Sequence, residues 1–130
     1  MIAITKIGRG ASRLAAIALV SLVGTAHPVI AQDKAERVLS IGGAVTEIVY
    51  ALGEEGRLIG RDSTSSYPQA ATALPDVGYM RALAPEGVLS IEPDLILARE
   101  GSGPPEAIEV LRSAGIPFVD VPEDFTAEGI

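Results

Sequence analysis

Short apolar runs alternate with amphipathic stretches between residues 37 and 121. The run RVLSI at 37–41 stops at Gly42-Gly43 and predicts a buried strand. In AVTEIVYALG, Ala44, Val45, Ile48, Val49 and Leu52 fall on one helical face, and Gly53 supplies the stop. RLIG at 57–60 predicts a second strand. The DSTSSYP loop follows, and Pro68 opens a short helical turn that reaches residue 73. Residues 74–80, interrupted by Pro75 and Gly78, support no regular pattern.

Further along, Pro85 suits the first turn of a short helix and Pro93 marks its end. DLILA at 94–98 is apolar throughout, as parallel strands covered on both faces are. After the GSGPP loop, EAIEVLRSAG predicts a helix with Ile108 and Leu111 inward and Gly115 as its stop. IPFVDV at 116–121 predicts a fourth strand. Strands separated by helices define the fold class: α/β, a parallel-sheet three-layer lobe with right-handed crossovers. The last residues, PEDFTAEGI, read as the opening of another helix, with Thr126 as cap and Glu128 in its first turn. The chain is therefore expected to be an amino-terminal part of a longer one.

The first residues have a different composition. MIAITKIGRGASR carries Lys6, Arg9 and Arg13 and no acid, and the apolar run LAAIALVSLVGTA follows at 14–26. A basic start, an apolar run and small residues before a cut are the marks of a secretory signal peptide. Val29 and Ala31 fill the small positions, so residues 1–31 are expected to be removed between Ala31 and Gln32, with a cut after Ala26 as the second choice. The run is short for a membrane span of about 20 residues. The sequence has no cysteine, so no lipid can be attached after cleavage. Together these predict export to the periplasm without stable membrane insertion.

Residues 32–130 keep seven basic and all seventeen acidic residues, a formal net charge of −10. Such a domain repels nucleic acid and anionic membrane surfaces. Enzymatic readings fare poorly as well. Cysteine chemistry is excluded, and the single histidine, His27, lies in the presequence. The hydroxyl residues of 62–66 thus have no histidine partner for a triad. Gly42-Gly43 is half of a dinucleotide fingerprint and lacks the third glycine. A binding protein is the expectation, not an enzyme. In open α/β sheets ligands lie beyond the carboxyl ends of the strands. The loops at Gly42-Gly43, 61–68 and 99–103 leave such ends, and Tyr67 sits in the second.

The segments RVLSIGGAVTEIVYALG, LIGRDSTSSYP, LPDVGYMRALAPEGVLSIEPDLILA and LRSAGIPFVDV resemble the amino-terminal lobe of periplasmic substrate-binding proteins of ABC importers, in the class whose two lobes are joined by a long helix. The likeness runs from about residue 37 to the end and is greatest to the haem-binding, HmuT-type branch. GRDSTSSYP and LPDVGYMRALAPEGVLS are its most specific parts; PDLILA is shared with siderophore and cobalamin relatives. Family chains are more than twice as long, so the resemblance implies that residues 32–130 form one lobe and that the second is absent.

The resemblance implies that Tyr67 is the axial ligand of ferric haem iron. A phenolate is a hard oxygen donor suited to Fe(III). A free phenol keeps its proton at neutral pH, so the metal's charge or a nearby arginine must favour the ionised form. Arg61 and Arg81 are the local candidates for that help, or for pairing with haem propionates. From composition alone Tyr67 reads as a turn residue with a water-bonded hydroxyl, and the surrounding motif reverses that preference. Tyr79 and Met80 are expected to pack on the porphyrin, with core packing as the even alternative. Gly42 and Gly43 offer backbone N–H groups to a propionate, although a tight turn is the simpler explanation. Tyr50 reads as structural, and Glu92 and Asp94 as a polar strand entry.

Glu86 at a helix start matches the family glutamate that docks onto arginines of the membrane permease. It also suits the dipole of its own helix. The expected function is capture of haem, the transported ligand, for an inner-membrane ABC importer in iron uptake. A cobalamin or ferric-siderophore carrier on the same scaffold is the alternative. A secreted hydrolase with its base elsewhere is the remaining one.

Overall fold

The computed structural model describes residues 34–124 and residue 126. The expected signal peptide with His27, and the helix expected around Glu128, lie outside these residues. Four strands, β1 (Val38–Ile41), β2 (Leu58–Arg61), β3 (Leu95–Arg99) and β4 (Phe118–Val121), form one parallel sheet in the order β2-β1-β3-β4. Val38 to Ile41 face Leu95 to Ala98 in unbroken register, and Ile96 to Arg99 face Phe118 to Val121. Helices α1 (Gly43–Ala51), α2 (Pro85–Leu89) and α3 (Pro105–Ser113) lie in the crossovers. This is the expected α/β lobe.

Strand alternation sorts the core into two layers. Leu39, Ile41, Ile96 and Ala98 point to one face and pack with Val88 of α2 and Leu111 of α3. Val38, Leu95 and Leu97 point to the other and pack with Val49 of α1. Burying both faces explains why the strands read as continuous apolar runs. With no cysteine in the sequence, this apolar burial carries the stability.

Helix α2 and strand β2 differ from expectation at their ends. Helix α2 stops at Leu89, four residues before Pro93. The connecting turn places Glu92 at φ 51°, and Arg37 clamps it by donating from Nε to the Glu92 carbonyl (2.8 Å) and from Nη2 to the Ile91 carbonyl (2.6 Å). Asp94 accepts the N–H groups of Glu36 and Arg37, so the polar strand entry holds β1 and β3 together. Strand β2 extends through Arg61 because residues 75–77 cover its outer edge. Arg61 N–H donates to the Pro75 carbonyl, and Val77 N–H to the Arg61 carbonyl, both at 2.9 Å. The irregular segment thus satisfies backbone groups that an open sheet edge would expose.

Candidate ligand-binding rim

The chain turns sharply at the carboxyl end of the sheet. Gly42 adopts φ 102°, and a Cβ there would lie 2.7 Å from the Arg99 Cβ. Only glycine allows β1 to pass so close to β3 and then enter α1. The reversal of strand order also falls between β1 and β3, the crevice where ligands of such sheets bind.

Beside this turn, the loop after β2 is organised by a buried carboxylate. Asp62 has no solvent exposure. Its Oδ1 accepts from Gly42 N–H (2.9 Å) and from the Ser65 hydroxyl (2.7 Å). Its Oδ2 accepts from Thr64 N–H (3.1 Å) and the Thr64 hydroxyl (2.7 Å). Asp followed closely by Thr and Ser favours such a self-bonded turn. The Thr64 oxygen in turn accepts Gly43 N–H at 3.1 Å. From Ser65, hydroxyl contacts of 2.7 Å continue to Thr46 in α1 and on to Ser40 in β1.

Tyr67 stands two residues beyond this anchored part. Its side chain is 67% exposed, and among the described residues its hydroxyl has no hydrogen-bond partner. The ring borders an open recess of about 650 Å³ with Pro68 and with Ala44, Glu47, Ile48 and Ala51 of α1. Ile48 is half exposed there, an apolar side chain facing solvent beside the tyrosine. Tyr50, expected to be structural, packs against the α1-side core and also borders the recess. The loop bearing Tyr79 adjoins the Tyr67 loop, since Ser63 N–H donates to the Gly78 carbonyl at 2.9 Å. Tyr79 is 49% exposed. Arg81 is exposed and forms no ion pair among the described residues.

The structure corrects three expectations. Met80 is 3% exposed and belongs to the core with Val77, Leu83 and Val88. Its thioether fills the interior rather than a ligand surface, because the turn sends alternate side chains of 79 and 80 outward and inward. Gly42 and Gly43 do not present free N–H groups, since Asp62 and Thr64 take them. Arg61 is folded back onto its own loop: Nε donates to the Ala71 carbonyl, and Nη1 reaches the Asp62 carbonyl and Asp76. That guanidinium braces the loop.

Asp76 completes the brace. Partial burial disfavours its charge, but Gly78 N–H, the Ser63 hydroxyl and the Arg61 guanidinium together outweigh burial and hold its carboxyl below the ordinary aspartate range. Glu86 stands exposed in the first turn of α2. The residues that sequence reasoning missed are Ser40, Thr46, Asp62 and Ser65, buried polar groups joining three elements. The Asp-x-Thr-Ser spacing hints at the turn, and nothing in the sequence hints at the contacts with 40 and 46.

A parallel α/β lobe with aromatic and basic side chains at its carboxyl rim is a ligand-binding module. The chain belongs to the periplasmic binding protein family, whose model matches residues 38–130. It is 35% identical over 106 residues to the vitamin B12-binding protein of Yersinia pestis (strain Pestoides F), covering 82% of this chain and 36% of that one. A periplasmic heme binding protein from Pseudomonas aeruginosa superimposes with a TM-score of 0.70 at 42% identity, over 74% of this chain and 34% of that one. The periplasmic vitamin B12 binding protein of Vibrio cholerae superimposes with a TM-score of 0.61 at 35% identity, over 66% and 34%. The chain thus spans about a third of the length of these relatives. All three are named for binding, in line with the expectation of a binding protein rather than an enzyme. No helix among the described residues is long and apolar enough to cross a membrane.

Proposed function

We propose that this chain is the amino-terminal lobe of the substrate-binding component of an ABC importer, exported by the 1–31 signal peptide, that captures haem in the periplasm and hands it to an inner-membrane permease. The observation that carries this reading is Tyr67, an exposed side chain whose hydroxyl has no partner among the described residues and whose ring borders a largely apolar recess that Glu47 also lines. Ferric haem asks for a hard axial oxygen donor and apolar surface for a flat macrocycle. The rim has both. Tyr79 would lie against the porphyrin or its edge, and Arg81, without an ion pair among the described residues, would meet a propionate carboxylate. Glu86, exposed on an acidic lobe, would meet basic permease side chains.

The 42% identity to a protein named for heme supports this choice of ligand. A cobalamin carrier is the second reading, favoured by the name of the Yersinia relative. Cobalamin arrives with its cobalt enclosed by a corrin and requires no phenolate. Parallel titrations of the full natural protein with haemin and with cyanocobalamin separate the two. Saturable binding of haemin, with cyanocobalamin binding at least a hundredfold weaker, is expected; the opposite order replaces haem with cobalamin.

A further inference from the structure

We propose that Asp62 is a positioning residue for Tyr67: its carboxylate locks the tyrosine's loop to β1 and α1 and so sets where the phenol meets the ligand. The inference rests on the reading of Tyr67 as a haem ligand and adds the residue that orients it. Tyr67 has no hydrogen bond of its own to hold it among the described residues, so its placement depends on the chain just before it. That chain is fixed from inside. Asp62 and Ser65 are both without solvent exposure, while Ser63, Thr64, Ser66 and Tyr67 are exposed.

The direction of the hydroxyl chain follows from valence. A carboxylate oxygen accepts, so Ser65 spends its one proton on Asp62. Thr46 must then donate to Ser65, and Ser40 to Thr46. Every proton in the line points toward Asp62, which also receives Gly42 N–H and both donors of Thr64. Gly42, Thr64 and Ser65 thus donate directly to one carboxyl group, and Thr46 of α1 and Ser40 of β1 reach it through Ser65. An amide there would turn an N–H₂ group toward donors. Whichever way it lies, one backbone N–H, of Gly42 or of Thr64, is left facing a donor, and the hydroxyl beside it must turn round to accept. The Gly42 turn and the 63–66 segment would then lose their common anchor, and Tyr67 with them.

The test uses the full natural protein with haemin. In wild type the ferric complex is expected to show tyrosinate coordination that disappears in Tyr67→Phe. In Asp62→Asn, with circular dichroism unchanged, the tyrosinate signature should shift or weaken and haemin affinity should fall about tenfold or more, the scale of one unsatisfied buried group. A folded Asp62→Asn protein with wild-type spectrum and affinity overturns the positioning role while leaving Tyr67 as the ligand. Identical spectra for wild type and Tyr67→Phe overturn Tyr67 as the iron ligand, and this inference with it. Should Asp62→Asn not fold, Thr64→Val decides. It keeps the shape and removes one donor to Asp62 and the acceptor for Gly43 N–H. A weakened signature in that variant supports the role, and an unaltered complex overturns it.

Discussion

Thr46 in α1 and Ser65 in the loop after β2 share a hydroxyl–hydroxyl hydrogen bond of 2.7 Å with no solvent access at either residue. Nineteen positions apart in sequence, they tie the helix that lines the recess to the loop that carries Tyr67. A buried polar pair is worth little more than its hydrated alternative when complete, and is costly when one partner is removed. Thr46→Val keeps the shape and strips the bridging oxygen, leaving the Ser40 hydroxyl without its acceptor. Stability is expected to fall by about 1–3 kcal/mol, read as a lower thermal midpoint. An unchanged midpoint contradicts the bridge.

Gly42 provides a backbone counterpart. Its φ of 102° and the 2.7 Å approach to the Arg99 Cβ leave no room for a methyl group. Gly42→Ala should cost about 2–4 kcal/mol, combining an unfavourable dihedral with overpacking. Urea unfolding measures it. A loss under about 0.5 kcal/mol, the range of ordinary surface changes, would mean that β1 and β3 separate easily at this end.

Acid tests the loop brace. The Asp76 carboxyl is held below its ordinary range despite partial burial, by Gly78, Ser63 and Arg61. A depressed carboxyl stabilises the fold above the unfolded-state value, and that stabilisation is lost as pH falls through the folded value. Stability should therefore decline as pH drops below about 4. Asp76→Asn should flatten this part of the profile, compared by urea midpoints across the acid range. The same acid slope in the variant would assign the effect to other carboxylates.

Glu86 separates capture from delivery. It stands exposed on α2, an element distinct from the β2 loop and the α1 residues that border the recess beside Tyr67. Glu86→Ala is expected to leave haemin affinity within about twofold, as rim charges act on association with partners more than on distant sites, and to reduce uptake through the permease. Equal loss of binding and uptake would place Glu86 at the ligand instead.

The strands and helices were legible because burial on both faces leaves continuous apolar runs, and glycine and proline punctuate them. Val38–Ile41 and Leu95–Arg99 each begin one residue later than the runs suggest. The end of α2 was not legible, since the Glu92 turn is held by Arg37, the residue just before β1. Tyr67 was placed on an exposed loop by Pro68 and the hydroxyl-rich stretch before it, and it lies there. Met80 was not resolvable, because an apolar residue in an irregular segment faces inward or outward according to a turn the pattern does not encode. Likewise Ser40 sits inside an apolar strand, and its partner Thr46 inside a helix. Only the packing of α1 on the sheet brings them into the line of hydroxyls that ends at Asp62.

The most direct measurement is the absorption spectrum of the ferric haemin complex of the full natural protein, taken beside that of Tyr67→Phe. A high-spin tyrosinate spectrum in the first that is lost in the second is the predicted result. A spectrum unaltered by removing that one hydroxyl would contradict Tyr67 as the iron ligand.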